Sequence, residues 1–234
     1  MGVAVLQARL VESREIAPEI RHFVFEVPEV EQLPFLPGQF VSFSGVFDDK
    51  KITRAYSTAS PPRGNRFEIC LNRVQDGFFS PYLFNMPVGS MVDMKGPLGH
   101  FVLKSPPNDS IFVATGTGIA PFRSMLHAHL QANSSRQFTL VFGVRFEQSL
   151  LYRAEFEQLT KSYPNFHFAP TLSRPGLEWN GRKGHVQQHV MDTIGERRDV
   201  DVYICGMKAM VDDLRSKLKE LGLDRRQIIF EKYD

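Results

Sequence analysis

The sequence predicts two domains: an antiparallel β-barrel, followed by an α/β domain with a doubly wound parallel sheet of five strands. Short β-rich segments separated by turn residues fill the amino-terminal part of the chain. Strands and amphipathic helices alternate in the carboxyl-terminal part. A proline-rich turn, Ser105 to Asp109, separates the two patterns. Because a domain has about 150 residues, the 234 residues fit one or two domains, and we place them at residues 1–106 and 107–234.

The barrel strands are predicted from runs of β-branched and aromatic residues between turn signals. Their expected ranges are 3–10, 21–27, 40–43, 54–58, 67–73 and 91–95. The turn at Gly77 is followed by Ser80 and Pro81, which predicts the start of a short helix. A helix start offers unpaired N–H groups to a phosphate.

The second domain is predicted from strands that alternate with helices. The strands are expected at 111–114, 139–142, 166–172, 200–205 and 228–230. Helices are expected from Pro121, from about Leu151, over 186–194 and over 208–221, where Gly222 ends the last one. Crossover helices between successive strands make the sheet parallel.

Composition narrows the classes of function. The chain has 28 basic and 26 acidic residues, a net charge of +2, so we expect no nucleic-acid partner. Two distant cysteines cannot hold an iron-sulfur cluster, and His127 and His129 face different sides of a helix, so we expect no metal site. No apolar run approaches the ~18 residues of a membrane span. We expect a soluble, cytoplasmic monomer.

The strand at 54–58 carries the quartet Arg54-Ala55-Tyr56-Ser57, in which alternation sends Arg54 and Tyr56 to one side and Ala55 and Ser57 to the other. A guanidinium can bind a pyrophosphate bidentately, a phenol can stack on a flat ring, and a hydroxyl can bond a polar ring atom. These are the parts of a flavin nucleotide. The alternative is a surface strand with an extended arginine.

A glycine-containing turn, Thr115 to Pro121, follows a buried type of strand and opens a helix. Gly116 and Gly118 stand where the backbone must approach a ligand, and Pro121 suits the first helical turn. The turn departs from the Gly-x-Gly-x-x-Gly pattern because Pro121 occupies the place of the third glycine. We interpret it as a cradle for dinucleotide phosphates.

In this order and spacing, the quartet, the Gly77-x-x-Ser80 turn and the Gly116-Thr-Gly-Ile-Ala-Pro121 turn resemble the ferredoxin-NADP reductase family of flavoproteins. The resemblance covers essentially the whole chain, without an added electron-transfer domain. It implies FAD on the barrel and NADP on the α/β domain, with NAD as the alternative. Asn72 stands where many members carry lysine. The implied FAD-binding residues are Arg54, Ala55, Tyr56, Ser57, Cys70, Leu71, Asn72, Gly77, Phe78, Phe79 and Ser80.

The resemblance leaves the choice between NADPH and NADH open. The Ser173-Arg174 pair is what the 2'-phosphate of NADP meets in the family, which favours NADPH. The segment Trp179 to Val186 instead looks like NADH-using relatives, because Gly184 or His185 stands where NADP-specific members carry tyrosine. The implied nucleotide-binding residues are Thr115, Gly116, Gly118, Arg145, Ser173, Arg174, Arg182, Gly206 and Met207.

The resemblance also implies the catalytic residues. Ser57 bonds near the reactive nitrogen of the flavin, Cys205 and Glu231 hold the nicotinamide, and Tyr233 covers the flavin, although Asp234 extends past the family pattern and a frayed end is the alternative. Hydride passes between NADPH and FAD, and single electrons pass to a carrier such as ferredoxin or flavodoxin. Two alternatives stay open: a reductase of an oxygenase component or of free flavin, and a non-catalytic nucleotide-binding subunit.

Overall fold

The computed structural model describes residues 4–131 and 135–233. The chain divides into two compact units: unit 1 runs up to Val102 and includes Ala120–Ala128, whereas unit 2 comprises Leu103–Ile119 and the chain from His129 onward. The expected boundary between residues 106 and 107 remains a prediction. The expectations for Val3 and Asp234 lie outside the described residues. Within the described residues, no helix is long and apolar enough to cross a membrane.

Unit 1 contains an antiparallel sheet, which confirms the predicted class of its fold. In the described part of the chain its strands follow the order β4-β3-β6-β1-β2-β5, and a bridge between Thr58 and Ile69 links the end of β4 to β5. A short helix, α1, spans Phe79–Asn85. The strands are β1 Leu6–Ala17, β2 Ile20–Glu26, β3 Phe40–Phe47, β4 Lys50–Ser57, β5 Arg66–Asn72 and β6 Met91–Leu98.

Four strands of unit 1 are longer than predicted, namely β1, β3, β4 and β6. β1 pairs with β6 through Leu6–Arg9 and with β2 as far as Ala17, with register shifts that let one strand serve both partners. β4 begins at Lys50 because it forms a hairpin with β3. Asp48 and Asp49 make that turn with φ of 48° and 60°, the left-handed region that a two-residue hairpin turn requires. The polar residues around this turn hid the strand from pattern analysis.

The core of unit 1 is aromatic. Phe25 lies 4.9 Å from Phe43 and 5.7 Å from Phe67 between ring centroids. Tyr56 of β4 packs at the edge of this core, 5.7 Å from Phe43 and 6.4 Å from Phe79 of α1. Burial of these rings stabilises the sheet and fixes α1 beside β4.

Unit 2 contains a parallel sheet with the strand order β10-β9-β8-β7-β11-β12, so the predicted doubly wound class is confirmed. The described residues add a sixth strand to the predicted five, because β10 has only two residues and gives no periodic signal. The strands are β7 Ser110–Thr115, β8 Phe138–Val144, β9 Phe166–Leu172, β10 Arg182–Lys183, β11 Asp201–Met207 and β12 Ile228–Tyr233. The remaining helices are α2 Ala120–Leu130, α3 Arg153–Ser162, α4 Val186–Ile194 and α5 Lys208–Glu220.

Helix α2 follows a 3₁₀ turn, Gly116–Ile119, and carries Pro121 in its first turn as predicted. Most of α2 belongs to unit 1, where Phe122 packs against Phe101 at 5.7 Å between ring centroids. Gly38 is required by this packing, because a Cβ at its φ of +101° would lie 2.1 Å from the Phe101 carbonyl oxygen. The Pro37-Gly38 turn therefore lets the helix approach the barrel closely.

Candidate functional site

The β4 quartet places a charge, a ring and a hydroxyl in succession. Arg54 is exposed, and its Nη1 donates to the Thr53 carbonyl at 2.8 Å. Tyr56 is half-buried, and burial raises the pKa of its phenol well above the usual range, which outweighs the opposing charge of Arg54. Ser57 is buried at the end of the strand.

The start of α1 lies beside this quartet, because Phe79 contacts Tyr56. The Ser80 hydroxyl accepts a hydrogen bond from the Val74 N–H at 2.9 Å, so it shapes the turn. Phe78 is exposed at the amino end of α1, and no described side chain caps that end. An exposed guanidinium, a half-buried ring and an uncapped helix start together fit the pyrophosphate and the ring of a flavin nucleotide.

The other predicted flavin contacts differ in exposure. Cys70 and Leu71 are buried in β5, whereas Asn72 is exposed at its end. Gly77 closes the preceding turn by donating its N–H to the Val74 carbonyl at 3.0 Å. Cys70 and Leu71 can therefore offer a ligand their backbone rather than their side chains.

Sequence reasoning missed the residues that hold the segment after β4. Arg123 of α2 donates to the Ala59 carbonyl at 2.6 Å and to the Glu68 carboxylate. Ser124 donates to the Ser60 carbonyl at 2.5 Å. These contacts join positions more than fifty residues apart, which no local pattern reveals. The available signal was a polar Arg-Ser pair within an otherwise buried helix start.

The two glycines of the Thr115 to Pro121 turn have different surroundings, although the sequence predicts that the backbone approaches a ligand at both. Gly116 has φ of +54°, and a Cβ there would meet nothing within 4 Å, so open space lies above it. This space suits a phosphate. A Cβ on Gly118, by contrast, would lie 2.4 Å from the Cys205 carbonyl oxygen, so that glycine is required by contact with β11.

Thr115 and Gly206 interlock at the same edge of the sheet. The Thr115 hydroxyl accepts a hydrogen bond from the Met207 N–H at 3.3 Å. A Cβ on Gly206, whose φ is +147°, would lie 2.1 Å from that hydroxyl oxygen. The Cys205-Gly206 pair is thus fixed by packing within the sheet, next to the turn that begins at Gly116.

Arg145, Ser173 and Arg174 are brought together at the carboxyl ends of β8 and β9. The Ser173 N–H donates to the Val144 carbonyl at 3.0 Å, and the Arg174 N–H donates to the Arg145 carbonyl at 2.9 Å. Both arginines are exposed and Ser173 is half-buried. The main chain therefore places Arg145, Ser173 and Arg174 next to one another at an edge where open α/β sheets bind ligands.

The Trp179 to Gly184 segment builds strand β10. The Trp179 ring is buried, and its Nε1 donates to the Arg182 carbonyl at 2.8 Å. A Cβ on Gly181 would lie 2.4 Å from that ring, and the Gly184 N–H donates to the Leu172 carbonyl at 2.8 Å. Trp179 and Gly181 are therefore explained by packing, whereas a Cβ on Gly184, whose φ is +98°, would meet nothing within 4 Å.

Arg182 is placed on β10, next to β9. It pairs with Thr171, and its charge adds to burial, the larger cause, in lowering the pKa of His167. His167 belongs to β9, so the guanidinium charge is felt along that strand. Arg182 is exposed, as a nucleotide contact must be.

The last strand brings Cys205 and Glu231 side by side. Cys205 is fully buried and paired with Glu231, and Met207, which is exposed, is paired with Tyr233. Tyr233 is a paired strand residue rather than a frayed end.

Helix α5 contacts strand β12 through the side chains of Phe230 and Lys232. Lys232 contacts Asp212 at 2.7 Å, and the Arg215 guanidinium lies 3.7 Å from the centroid of the Phe230 ring. The hydrogen bond from Lys232 is the main cause that lowers the pKa of Asp212. The strand that carries Glu231 is therefore held to its helix by charged contacts.

Comparisons with known proteins agree with this arrangement. An oxidoreductase FAD-binding domain matches residues 7–103, and an oxidoreductase NAD-binding domain matches residues 112–216. The chain is 38% identical over 238 residues to ferredoxin-NADP reductase B of Sorangium cellulosum, covering 97% of each. It is 32% identical to the phenol hydroxylase P5 protein of Acinetobacter pittii, covering 97% of this chain and 65% of that protein. A cytochrome P450 reductase of Amycolatopsis superposes with a TM-score of 0.89 at 27% identity, covering 98% of this chain and 70% of that one.

The fold, the two sites and these matches define a two-domain flavin oxidoreductase that uses FAD and a nicotinamide dinucleotide. The chain belongs to the ferredoxin-NADP reductase family, as the resemblance implied. The predictions of a flavoenzyme, of FAD and of a nicotinamide cofactor are thereby confirmed.

Proposed function

We propose that the enzyme transfers hydride between NADPH and FAD and passes single electrons to a separate carrier protein of the ferredoxin or flavodoxin type. When bound, the flavin supplies the chemistry that converts a two-electron transfer into single-electron transfers. The identity of 38% over 97% of a ferredoxin-NADP reductase supports this acceptor class.

The neighbouring positions of Arg145, Ser173 and Arg174 are the observation that supports NADPH. The main-chain hydrogen bond from Arg174 to Arg145 makes the two arginines neighbours at the ends of β8 and β9. A 2'-phosphate carries charge and acceptor oxygens that match this pair and the Ser173 hydroxyl. An acidic side chain would instead favour the 2'-hydroxyl of NADH. Since Trp179 and Gly181 have roles in packing β10, the likeness of this segment to NADH-using relatives weighs less.

The chain's own residues bind and orient the two cofactors. On unit 1, Arg54 binds the pyrophosphate with the N–H groups of Phe78 to Ser80, Tyr56 stacks on the flavin, and Ser57 bonds its reactive edge. On unit 2, Gly116 leaves room for the nucleotide phosphates. Orientation of this kind lowers the barrier by keeping the reacting atoms aligned.

The nicotinamide is proposed to lie at the ends of β11 and β12. Cys205 and Glu231 are paired there. Cys205 packs against the ring, and the Glu231 carboxylate accepts a hydrogen bond from the carboxamide. The covering of the flavin by Tyr233 rests on the family resemblance and stays a prediction.

A second candidate function has a specific observation in its favour. The identity of 32% to the phenol hydroxylase P5 protein supports delivery of electrons to an oxygenase component. Both candidates share the hydride step and differ only in the acceptor. Reduction of free flavin as a substrate differs from both, because a flavin that is a substrate must dissociate from the protein. Dialysis would then remove it.

Anaerobic reduction tests the proposal. The purified holoprotein is mixed with NADPH and with NADH in separate experiments while the visible absorbance of the flavin is followed, and is then reoxidised with ferredoxin, flavodoxin or an oxygenase component. We expect faster bleaching with NADPH and rapid reoxidation by a one-electron carrier. No bleaching with either nucleotide would contradict the enzymatic function, and reoxidation by the oxygenase component alone would select the second candidate.

Replacement of Arg174 by alanine is expected to weaken the use of NADPH selectively. Loss of a charge-assisted contact to the 2'-phosphate lowers kcat/KM for NADPH by about 10- to 100-fold, because only NADPH carries that phosphate. The value for NADH stays within about twofold, as expected for a surface position without further contacts. Steady-state kinetics with both nucleotides measure the effect, and Arg225→Ala, at an exposed arginine of unit 2, is the control. Equal losses with both nucleotides would remove Arg174 from the discrimination site.

A further inference from the structure

The segment Ser57–Ser60 is buried, and polar contacts hold it from several directions. The N–H and the hydroxyl of Thr58 both donate to the Gln39 carbonyl at 2.9 Å. The Ala59 N–H donates to the Glu68 carbonyl at 2.6 Å, and the Ser60 hydroxyl accepts from the Glu68 N–H at 3.1 Å. These four hydrogen bonds therefore fix the chain from Thr58 to Ser60, directly after Ser57.

Arg123 completes this set from helix α2, within the same unit. Its Nη1 lies 2.6 Å from the Ala59 carbonyl oxygen and 2.5 Å from Glu68 Oε2, so one nitrogen joins a main-chain carbonyl to a carboxylate. The arginine side chain is 13% exposed and that of Glu68 is 29% exposed. Nε2 of the buried His22 ring lies 3.6 Å from the same oxygen of Glu68. The contact between the Arg123 guanidinium and the Glu68 carboxylate is charge-assisted, so it is stronger than one between neutral groups.

We propose that Arg123 is a positioning residue for the flavin, acting through the Ala59 carbonyl to fix Ser57 and the end of β4. The inference rests on the proposed FAD site. A merely structural arginine would need only to neutralise Glu68. Arg123 also holds a peptide group two residues from the serine proposed to bond the flavin, and Ser124 fixes the next carbonyl at 2.5 Å. Displacement of this peptide moves the Ser57 hydroxyl, which changes the environment of the flavin ring.

Arg123→Met tests the proposal, because it keeps the apolar stem and removes both contacts. We expect the Kd for FAD, measured by titration of the apoprotein, to rise about tenfold, as follows from loss of a hydrogen bond to a charged group. At saturating FAD, we expect a shifted visible absorption band and a shifted flavin reduction potential. Arg9→Met is the matched control, since Arg9 forms an ion pair with Glu26 between β1 and β2 of the same unit. It should change none of these readouts.

The double variant Arg123→Met with Glu68→Gln separates positioning from charge neutralisation. It removes the carboxylate that has lost its arginine, so the thermal midpoint should return toward the wild-type value. The Ala59 carbonyl still lacks its donor, so the Kd, the band shift and the potential should stay altered. Recovery of all three would overturn the proposal, as would an Arg123→Met protein that matches the wild type.

Arg123→Lys covers the case in which Arg123→Met does not fold. A lysine ammonium keeps the charge and one contact, so we expect a Kd between those of the wild type and a tenfold increase, again with a shifted band. Wild-type affinity and spectrum in this variant would overturn the inference. A wild-type apoprotein that does not take up FAD would contradict the proposed function itself, whereas normal uptake with unaffected Arg123 variants contradicts only the positioning role.

Discussion

Replacement of Arg54 by alanine is expected to yield a folded protein that purifies largely without FAD. The side chain is exposed, and its one described contact is with the neighbouring Thr53 carbonyl. Its removal should therefore change the free energy of unfolding by less than about 0.5 kcal/mol. A bidentate contact to a pyrophosphate contributes about 2 to 3 kcal/mol of binding. The expected loss of FAD affinity is about 30- to 150-fold.

The flavin-to-protein ratio after dialysis and a titration of apoprotein with FAD measure this effect. Arg54→Lys keeps the charge but not the fork of donors, so it should retain an intermediate affinity. Arg14→Ala, at another exposed arginine of unit 1, should keep a full complement of flavin. If Arg54→Ala also keeps its flavin at low micromolar concentration, the pyrophosphate is bound elsewhere.

The two fold classes followed from the sequence because each depends on a repeated pattern. Long apolar strands such as Phe166–Leu172 and the amphipathic α4 and α5 were predicted within a residue or two. The pattern of apolar residues does not predict a strand that forms because of its contacts with other parts of the fold. β10 depends on the buried Trp179 ring, and the first half of β4 depends on pairing with β3.

The candidate site was predictable only where its residues are close in sequence. Arg54 to Ser57 lie on one strand, and the Thr115 to Pro121 turn is a single loop, so the local patterns, in an order that resembles the family, pointed to both. Arg123 and Glu68 meet only after folding, and no local pattern indicates their contact. The physical role of a glycine is likewise invisible in the sequence: Gly116 and Gly118 look equivalent, yet one faces open space and the other contacts β11.

The two glycines are therefore expected to respond differently to replacement by alanine. Gly118→Ala is expected to destabilise the protein, because the new Cβ would lie 2.4 Å from the Cys205 carbonyl oxygen and 2.9 Å from the Gly206 Cα. Backbone atoms cannot move aside as a flexible side chain can, so the overpacking costs about 2 to 3 kcal/mol. The thermal midpoint should then fall by about 5 °C or more. Nucleotide binding should fall with it, since the turn must move away from β11.

Gly116→Ala is the matched variant, two residues earlier in the same turn. Its Cβ meets nothing within 4 Å, and only the φ of +54° opposes it, at a cost of about 1 to 2 kcal/mol. We therefore expect a smaller fall in the thermal midpoint, together with a loss of NADP affinity of about tenfold or more, because the methyl group occupies the space proposed for the phosphate and adds no donor. FAD content should be normal. Thermal melts and NADP titrations of both variants separate the two roles. Wild-type NADP affinity in Gly116→Ala would show that the phosphate is not bound at this turn, and wild-type stability in Gly118→Ala would mean that the turn does not pack against β11 as closely as the structure places it.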